Sequence, residues 1–281
     1  RDSSTSRGLG DVYKRQEPRA ALANYEAHKK VYYLEAGSQG ANRFQNELAT
    51  TFGISKNKIR VVSNDVGGGY GTRNHTYPEF ALCLWAAKKT GRPVKWVCDR
   101  SEAFLSDYSG RDLLTKAELA IDNSGNFLAL RTENLANIGT HTISYVPLAR
   151  GPTVYNGVYN IPIGYAVSKA VLTNTNAVVS YRGAGRPEAM FVIERMIDIA
   201  SKKIGIDRIE LRRKNIIQES SIPYTNDFSV TYDSGNFPKS MEMALKLIDW
   251  FDFPNRRKKL RKKGYFACLL YTSPSPRDVE E

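Results

Sequence analysis

The chain has 281 residues, 41% of them apolar and 11% aromatic, enough for one large domain or two ordinary ones around a packed core. It contains no run of eighteen apolar residues and does not open on a charged-then-apolar pattern, so neither a membrane span nor secretion is expected and a soluble, cytoplasmic protein is the default. Its three cysteines (Cys83, Cys98, Cys268) form no CxxC pair and its three histidines lie far apart, which argues against a zinc site or iron–sulfur cluster held by this chain alone.

The net charge of +12 is local rather than spread: seven of the eight residues from Arg256 to Lys263 are Lys or Arg. Such a run reads as a solvated helix face or tail, and no aromatic interleaving supports a nucleic-acid surface. Residues 1–16 are Ser/Arg/Gly-rich without periodicity, and 267–281 break off after a basic helix; both read as non-native tails flanking 17–266.

Between them strands and helices alternate. A short strand over 31–34 closes on Gly37-Ser38-Gln39-Gly40, and a helix over 42–51 presents Phe44, Leu48 and Phe52 at helical spacing. A strand over 59–63 runs into a glycine-rich stretch. A helix over 79–89, apolar nearly all round, is expected to be buried on several sides. A strand over 93–97 follows. Strands over 115–121 and 127–134 flank the turn Asp122-Asn123-Ser124-Gly125-Asn126 as a hairpin, and another strand covers 169–173. Helices are predicted over 187–203, over 209–214 with Asp207 and Glu210 as a capping box, and over 240–249 and 255–263. The sum is an α+β fold with mixed sheets, a hairpin and packed helices.

Two stretches carry chemistry. In Asp65-Val66-Gly67-Gly68-Gly69-Tyr70-Gly71-Thr72-Arg73, four glycines in five positions require positive φ or a close approach, and backbone N–H groups there can cradle an anion or a polar heterocycle. It is not a Walker loop, and Thr72 replaces the last glycine of the dinucleotide fingerprint. In Ser180-Tyr181-Arg182-Gly183-Ala184-Gly185-Arg186-Pro187-Glu188, small residues between two arginines precede a helix, which suits an anionic group. A tight structural turn and an ordinary surface arginine are the competing readings. Together the two stretches point to a large polar cofactor without naming it.

The pair DVGGGYG and YRGAGRPEA, about 110 residues apart and flanked by EPRAALA, GSQ, YPE, GRPVKW, DRSE, ERMID and ELRRKN, resembles the molybdopterin-binding region of the molybdenum hydroxylase family, which includes aldehyde oxidases and xanthine dehydrogenases. The resemblance covers 17–266 and implies a partial molybdopterin-binding domain. It implies that Gln39 lies on the apical side of the molybdenum as an uncharged donor, and that the backbone of Gly67, Gly68, Gly69, Tyr70 and Gly71 passes beside the metal and its pterin. Arg182, Gly183 and Ala184 approach from the other side, so that Gln39, Tyr70 and Arg182 stand around the metal, while Arg150 matches a substrate- or transition-state-stabilising arginine of xanthine dehydrogenases, which with Gln39 makes the implied catalytic pair. Tyr70 stands where Phe is usual.

Ala184 and Asn74 replace the Phe and Glu that bind purines, against xanthine as substrate, and Gly183 replaces the copper-binding Cys of carbon monoxide dehydrogenases. The residues most resemble carbon-monoxide-dehydrogenase-like large chains lacking that Cys. The activity implied is hydroxylation of an aldehyde or N-heterocycle carbon with water-derived oxygen. The cofactor is molybdenum-molybdopterin in its cytosine dinucleotide form, with iron–sulfur clusters and FAD on partner chains or domains. The family's general-base glutamate has no counterpart here, so the fragment itself is expected to be inactive. A nucleotide-binding enzyme using the glycine loop for phosphate, a degenerate non-catalytic relative and a basic interaction module are the alternatives.

Overall fold

A computed structural model describes residues 17–267. The expected tails, 1–16 and 267–281, lie outside the described residues apart from Ala267. The chain divides into two compact units. The first holds the residues up to Leu113, Leu135–Ala149 and Lys169–Gly185; the second holds Leu114–Asn134, Arg150–Ser168 and the residues from Arg186 onward.

The first unit is built on a sheet of β1 (Ala20–Glu26), β2 (Val31–Ala36), β3 (Ile59–Val62) and β4 (Val94–Val97) in the order β3-β2-β1-β4. β1 runs antiparallel to β2 and β4, with Ala21 opposite Ala36 and Trp96. β2 and β3 are parallel, Leu34 opposite Val61, and the crossover between them contains α1 (Ala41–Phe52). Period-2 alternation buries Tyr32, Leu34 and Ala36 of β2. α1 buries Phe44, Leu48 and Ala49, and Gly53 ends it in the left-handed conformation with its N–H on Thr50 O.

β1 escaped the sequence reading because alanine has little strand preference. Its buried Ala21 and Ala23 instead make room for α2 (Pro78–Thr90), which packs Phe80, Leu84 and Ala87 onto the same core. α2 corrects one expectation: its opposite face leaves Leu82 61% and Trp85 54% exposed, so the helix is buried on one side among the described residues. α3 (Arg100–Ser106), also unpredicted, starts where Asp99 accepts from the Glu102 N–H at 2.7 Å.

Arg19, immediately before β1, is fully buried. Its guanidinium donates to Asp107 (2.5 Å), Ser106 (2.7 Å) and Glu79 (3.1 Å) and lies 4.3 Å from the centre of the Tyr77 ring. Burial works against its charge, but the hydrogen bond and charge of Asp107, with Glu79, outweigh it and hold the pKa above its ordinary value.

The second unit draws on β5 (Leu113–Ile121), β6 (Phe127–Gly139) and β7 (Ile163–Leu172), in the order β5-β6-β7. The predicted hairpin is β5–β6. β7 begins six residues earlier than expected, because Gly164 interrupts the apolar run; a Cβ there would lie 2.7 Å from the Phe228 ring. After α4 (Val146–Arg150), α5 (Arg186–Ile204) supplies the main helical face, burying Ala189, Ile193 and Ile197 against Phe127, Leu130, Tyr155 and Leu211. α6 (Arg208–Asn215) is capped by Asp207, which accepts from the Ile209 and Glu210 N–H groups as its sequence predicts. Arg212 of α6 pairs with Glu194 (2.6 Å) and Asp198 (3.0 Å) of α5.

α7 (Phe237–Leu247) and α8 (Phe253–Lys262) follow, and α8, which carries the basic run, has no buried residue. That matches a solvated helix face. No helix among the described residues is long and apolar enough to cross a membrane.

Candidate functional site

Within the first unit, the glycine loop, Gln39 and the 180–185 segment meet. The chain leaves β3 at Val62 and reaches a 3-10 turn, Thr72–Asn74, before α2 opens at Pro78. The glycine loop is therefore separated from the helix start, unlike a loop that sets a phosphate on a helix N-terminus.

Gln39 ties the loop from one side. Its N–H donates to Arg73 O at 2.9 Å, and its side-chain Oε1 accepts from the Gly71 N–H at 2.6 Å. With Oε1 so engaged, the amide orientation is fixed and what remains of the side chain is a donor, Nε2. A Cβ at Gly69 would lie 2.5 Å from Gln39 Cγ, so only glycine lets the loop lie against this side chain.

The 180–185 segment ties the loop from the other side. The Arg182 N–H donates to Tyr70 O at 2.9 Å, and the Arg182 guanidinium lies 5.7 Å from the centre of the Tyr70 ring. Gly71, at φ +108°, packs so closely that a Cβ would stand 2.0 Å from Ser180 O. Tyr70 (φ 53°) and Ala184 (φ 51°) occupy the left-handed region without being glycine. Backbone held in this region by its surroundings is a feature that concentrates at ligand sites. The turn at Gly183 and Ala184 closes through the Ala184 N–H on Tyr181 O at 2.6 Å.

The middle of the glycine loop is left open. Among the described residues, no acceptor meets the N–H groups of Gly68, Gly69 and Tyr70. Three successive donors between the ties to Gln39 and Arg182 are of a kind suited to an electron-rich, partly anionic group. Gln39, Gly67, Gly68, Gly69, Tyr70, Gly71, Arg182, Gly183 and Ala184 are thus gathered in one unit. Arg150 is not among them: it is exposed, ends α4, and belongs to the second unit, where its carbonyl accepts from Thr153 Oγ1 at 2.9 Å.

The described residues contain no group of three His, Cys, Asp or Glu side chains able to hold a metal ion. Burial pushes the Cys98 thiol up to about 11 and the Cys83 thiol in the same direction, so neither is a ready thiolate. A metal at this site would have to arrive with its own organic ligands, and a large cofactor recognised by backbone and amide donors fits the residues present. A hollow of about 670 Å³ elsewhere in the unit, lined by Phe52, Tyr77, Leu82, Trp85 and His141 among others, includes none of the predicted site residues.

Sequence reasoning missed Arg111. At φ 60° it donates from its guanidinium to Arg182 O and lies 5.3 Å from the centre of the Tyr181 ring, supporting the second loop from behind. The signal available was Gly110 beside it, where a Cβ would stand 2.8 Å from Tyr181 Cβ.

Comparison with known proteins finds relatives of this chain. The molybdopterin cofactor-binding domain family matches residues 14–216. The carbon monoxide dehydrogenase large chain of Hydrogenophaga pseudoflava is 34% identical over 234 residues, covering 82% of this chain and 29% of that protein. The nicotine 6-hydroxylase large subunit of Paenarthrobacter nicotinovorans is 28% identical over 258 residues, covering 90% and 31% respectively. The crystal structure of quinoline 2-oxidoreductase from Pseudomonas putida 86 superposes with a TM-score of 0.84 at 30% identity, over 89% of this chain and 32% of that one. The chain spans about a third or less of the length of these relatives.

Proposed function

The chain belongs to the molybdenum hydroxylase family, and from that premise we propose that its two loops form part of a molybdopterin site in an oxidoreductase that hydroxylates an aldehyde or N-heterocycle carbon with water-derived oxygen. The observation that carries the reading is the glycine loop tied at its ends with three successive N–H donors left open in its middle.

The bound molybdenum–pterin group would supply the two-electron redox chemistry. This chain's residues supply orientation and charge. Gln39, with Oε1 held by Gly71, offers Nε2 as an uncharged donor toward the metal's surroundings. The N–H groups of Gly68, Gly69 and Tyr70 would donate to electron-rich atoms of the cofactor, and Arg182, whose N–H is held on the Tyr70 carbonyl, would provide the countercharge. Gly183 and Ala184 keep the second loop small, which leaves room for a substrate. Ala184 offers no ring to stack on a purine, so we favour a substrate other than xanthine. Arg150 is assigned to stabilising the substrate or transition state on its match to the family alone.

The same reading assigns the cytosine dinucleotide form of the cofactor and partner subunits carrying iron–sulfur clusters and FAD. In its support, relatives bear names such as "large chain" and "complex subunit gamma". A cytoplasmic location and non-native ends at 1–16 and 267–281 belong to this reading as well.

The test is the full-length protein, purified with its partners and given aldehydes and N-heterocycles in water enriched in oxygen-18. The reading expects hydroxylated product carrying the label. Tight ATP or NAD binding with no hydroxylation would instead support a nucleotide-binding enzyme.

A further inference from the structure

The sequence motif around Glu17 served only to mark the family, yet the structure places this residue against both ends of the glycine loop. Its carboxylate Oε2 accepts from the Gly67 N–H at 2.5 Å. Its backbone carbonyl accepts from the guanidinium of Arg73 at 3.0 Å, and Arg73 is 1% exposed. A Cβ on Gly67 would lie 2.5 Å from Glu17 Cβ and 3.0 Å from Oε2, so the loop and this side chain are in direct contact.

We propose that Glu17 is a positioning residue for the cofactor: one residue that staples residues 67 and 73 and so fixes the path of the donors between them. The inference rests on the molybdopterin reading and deepens it. A loop with four glycines in five positions has more backbone freedom to lose than one built of other residues. Gln39 holds that loop at Gly71 and Gly69, and Arg182 holds it at Tyr70. Without Glu17, Gly67 has no tie, and the Gly68 and Gly69 amides hang from a single fixed side.

The bond is charge-assisted, which makes it one of the stronger ties available to an exposed N–H. It also removes a carboxylate from contact with the open donors. Glu17 consumes the first N–H of the run and leaves the next three for an incoming acceptor.

The experiment compares wild type with Glu17→Ala and Glu17→Gln in the full-length protein. It measures hydrogen exchange in peptides covering 65–73, molybdenum and pterin recovered per chain, and the thermal midpoint. Gln retains an oxygen that can accept from Gly67, whereas Ala has none. Exchange over 65–73 in the cofactor-free protein should rise about tenfold in Glu17→Ala and stay within about threefold of wild type in Glu17→Gln. Molybdenum and pterin content should fall several-fold in the Ala variant and recover in the Gln variant, at closely similar thermal midpoints.

Unchanged exchange or unchanged cofactor content in Glu17→Ala overturns the proposal, as does a Gln variant that behaves like Ala. A wild-type protein that carries no molybdenum overturns the functional reading instead. The exchange comparison, which needs no cofactor, then still decides whether Glu17 fixes the loop.

Discussion

The turn at 122–126 in the second unit and the loop at 67–71 in the first are both five-residue, polar or glycine-rich connections, and they treat their backbone donors in opposite ways. In the turn, Asp122 Oδ1 accepts from the Ser124 N–H (2.9 Å) and the Asn126 N–H (2.8 Å), and Asp122 O accepts from Gly125. Buried Asn215 completes it, accepting from the Phe127 N–H and donating to Gly125 O, both at 2.8 Å. The side-chain and backbone N–H groups of Asn126 hold the Asp122 carboxyl below its ordinary range. In the glycine loop only the N–H groups at the two ends, those of Gly67 and Gly71, meet an acceptor among the described residues, in Glu17 and Gln39. A turn whose task is to reverse the chain satisfies itself. The loop leaves its middle donors without an acceptor among the described residues.

That contrast can be broken from either side. Gly71→Ala should have the largest effect, because it combines a φ of +108° with a Cβ 2.0 Å from Ser180 O. A loss of about 3 kcal/mol or more is expected in denaturant unfolding. Asn215→Ala attacks the satisfied turn and strands the Phe127 N–H; it should cost about 2 kcal/mol with cofactor content unchanged in the folded fraction.

Gln39→Leu removes one acceptor from a part-exposed N–H and should cost only about 1 kcal/mol, while molybdenum content falls much further than stability does.

The smallest effect concerns pH. Burial first, and then the Arg43 charge, pull the His75 pKa below its ordinary 6.5, and Nδ1 accepts from Arg43 at 2.9 Å. The folded ring stays neutral where the unfolded chain binds a proton. Stability is therefore complete above pH 6.5 and declines as pH falls through that value toward the folded pKa. His75→Gln, which keeps an acceptor without a titrating ring, should flatten that window in unfolding measured from pH 7.5 to 5. Glu47, which faces His75 at 3.8 Å, acts in a lower window: its pKa is depressed because bonds from Arg43 and Thr76 outweigh desolvation.

Much of this was legible in the sequence where a local rule decides the outcome. Asp207 and Glu210 announced the start of α6, Gly53 sits at the end of α1, and the 122–126 turn named its own hairpin. The glycine loop and Gln39 were found through motif order. What was hidden depends on tertiary partners. β1 is alanine-rich because α2 needs the space, and α2 looks uniformly apolar although Leu82 and Trp85 remain exposed. Arg19 reads as one more surface cation, yet it is fully buried because Asp107, 88 residues later, meets it. Glu17 and Arg111 support the loops through contacts with no sequence spacing to betray them.

The most direct test of the account is to measure molybdenum and pterin in purified full-length protein, wild type beside Gly69→Ala. The added methyl would stand 2.5 Å from Gln39 Cγ, pressing the loop off its partner where no positive φ is at stake. The account predicts about one molybdenum and one pterin per wild-type chain, and a variant that remains folded but has lost most of both. Equal cofactor content in the two proteins, or none in wild type, would contradict it.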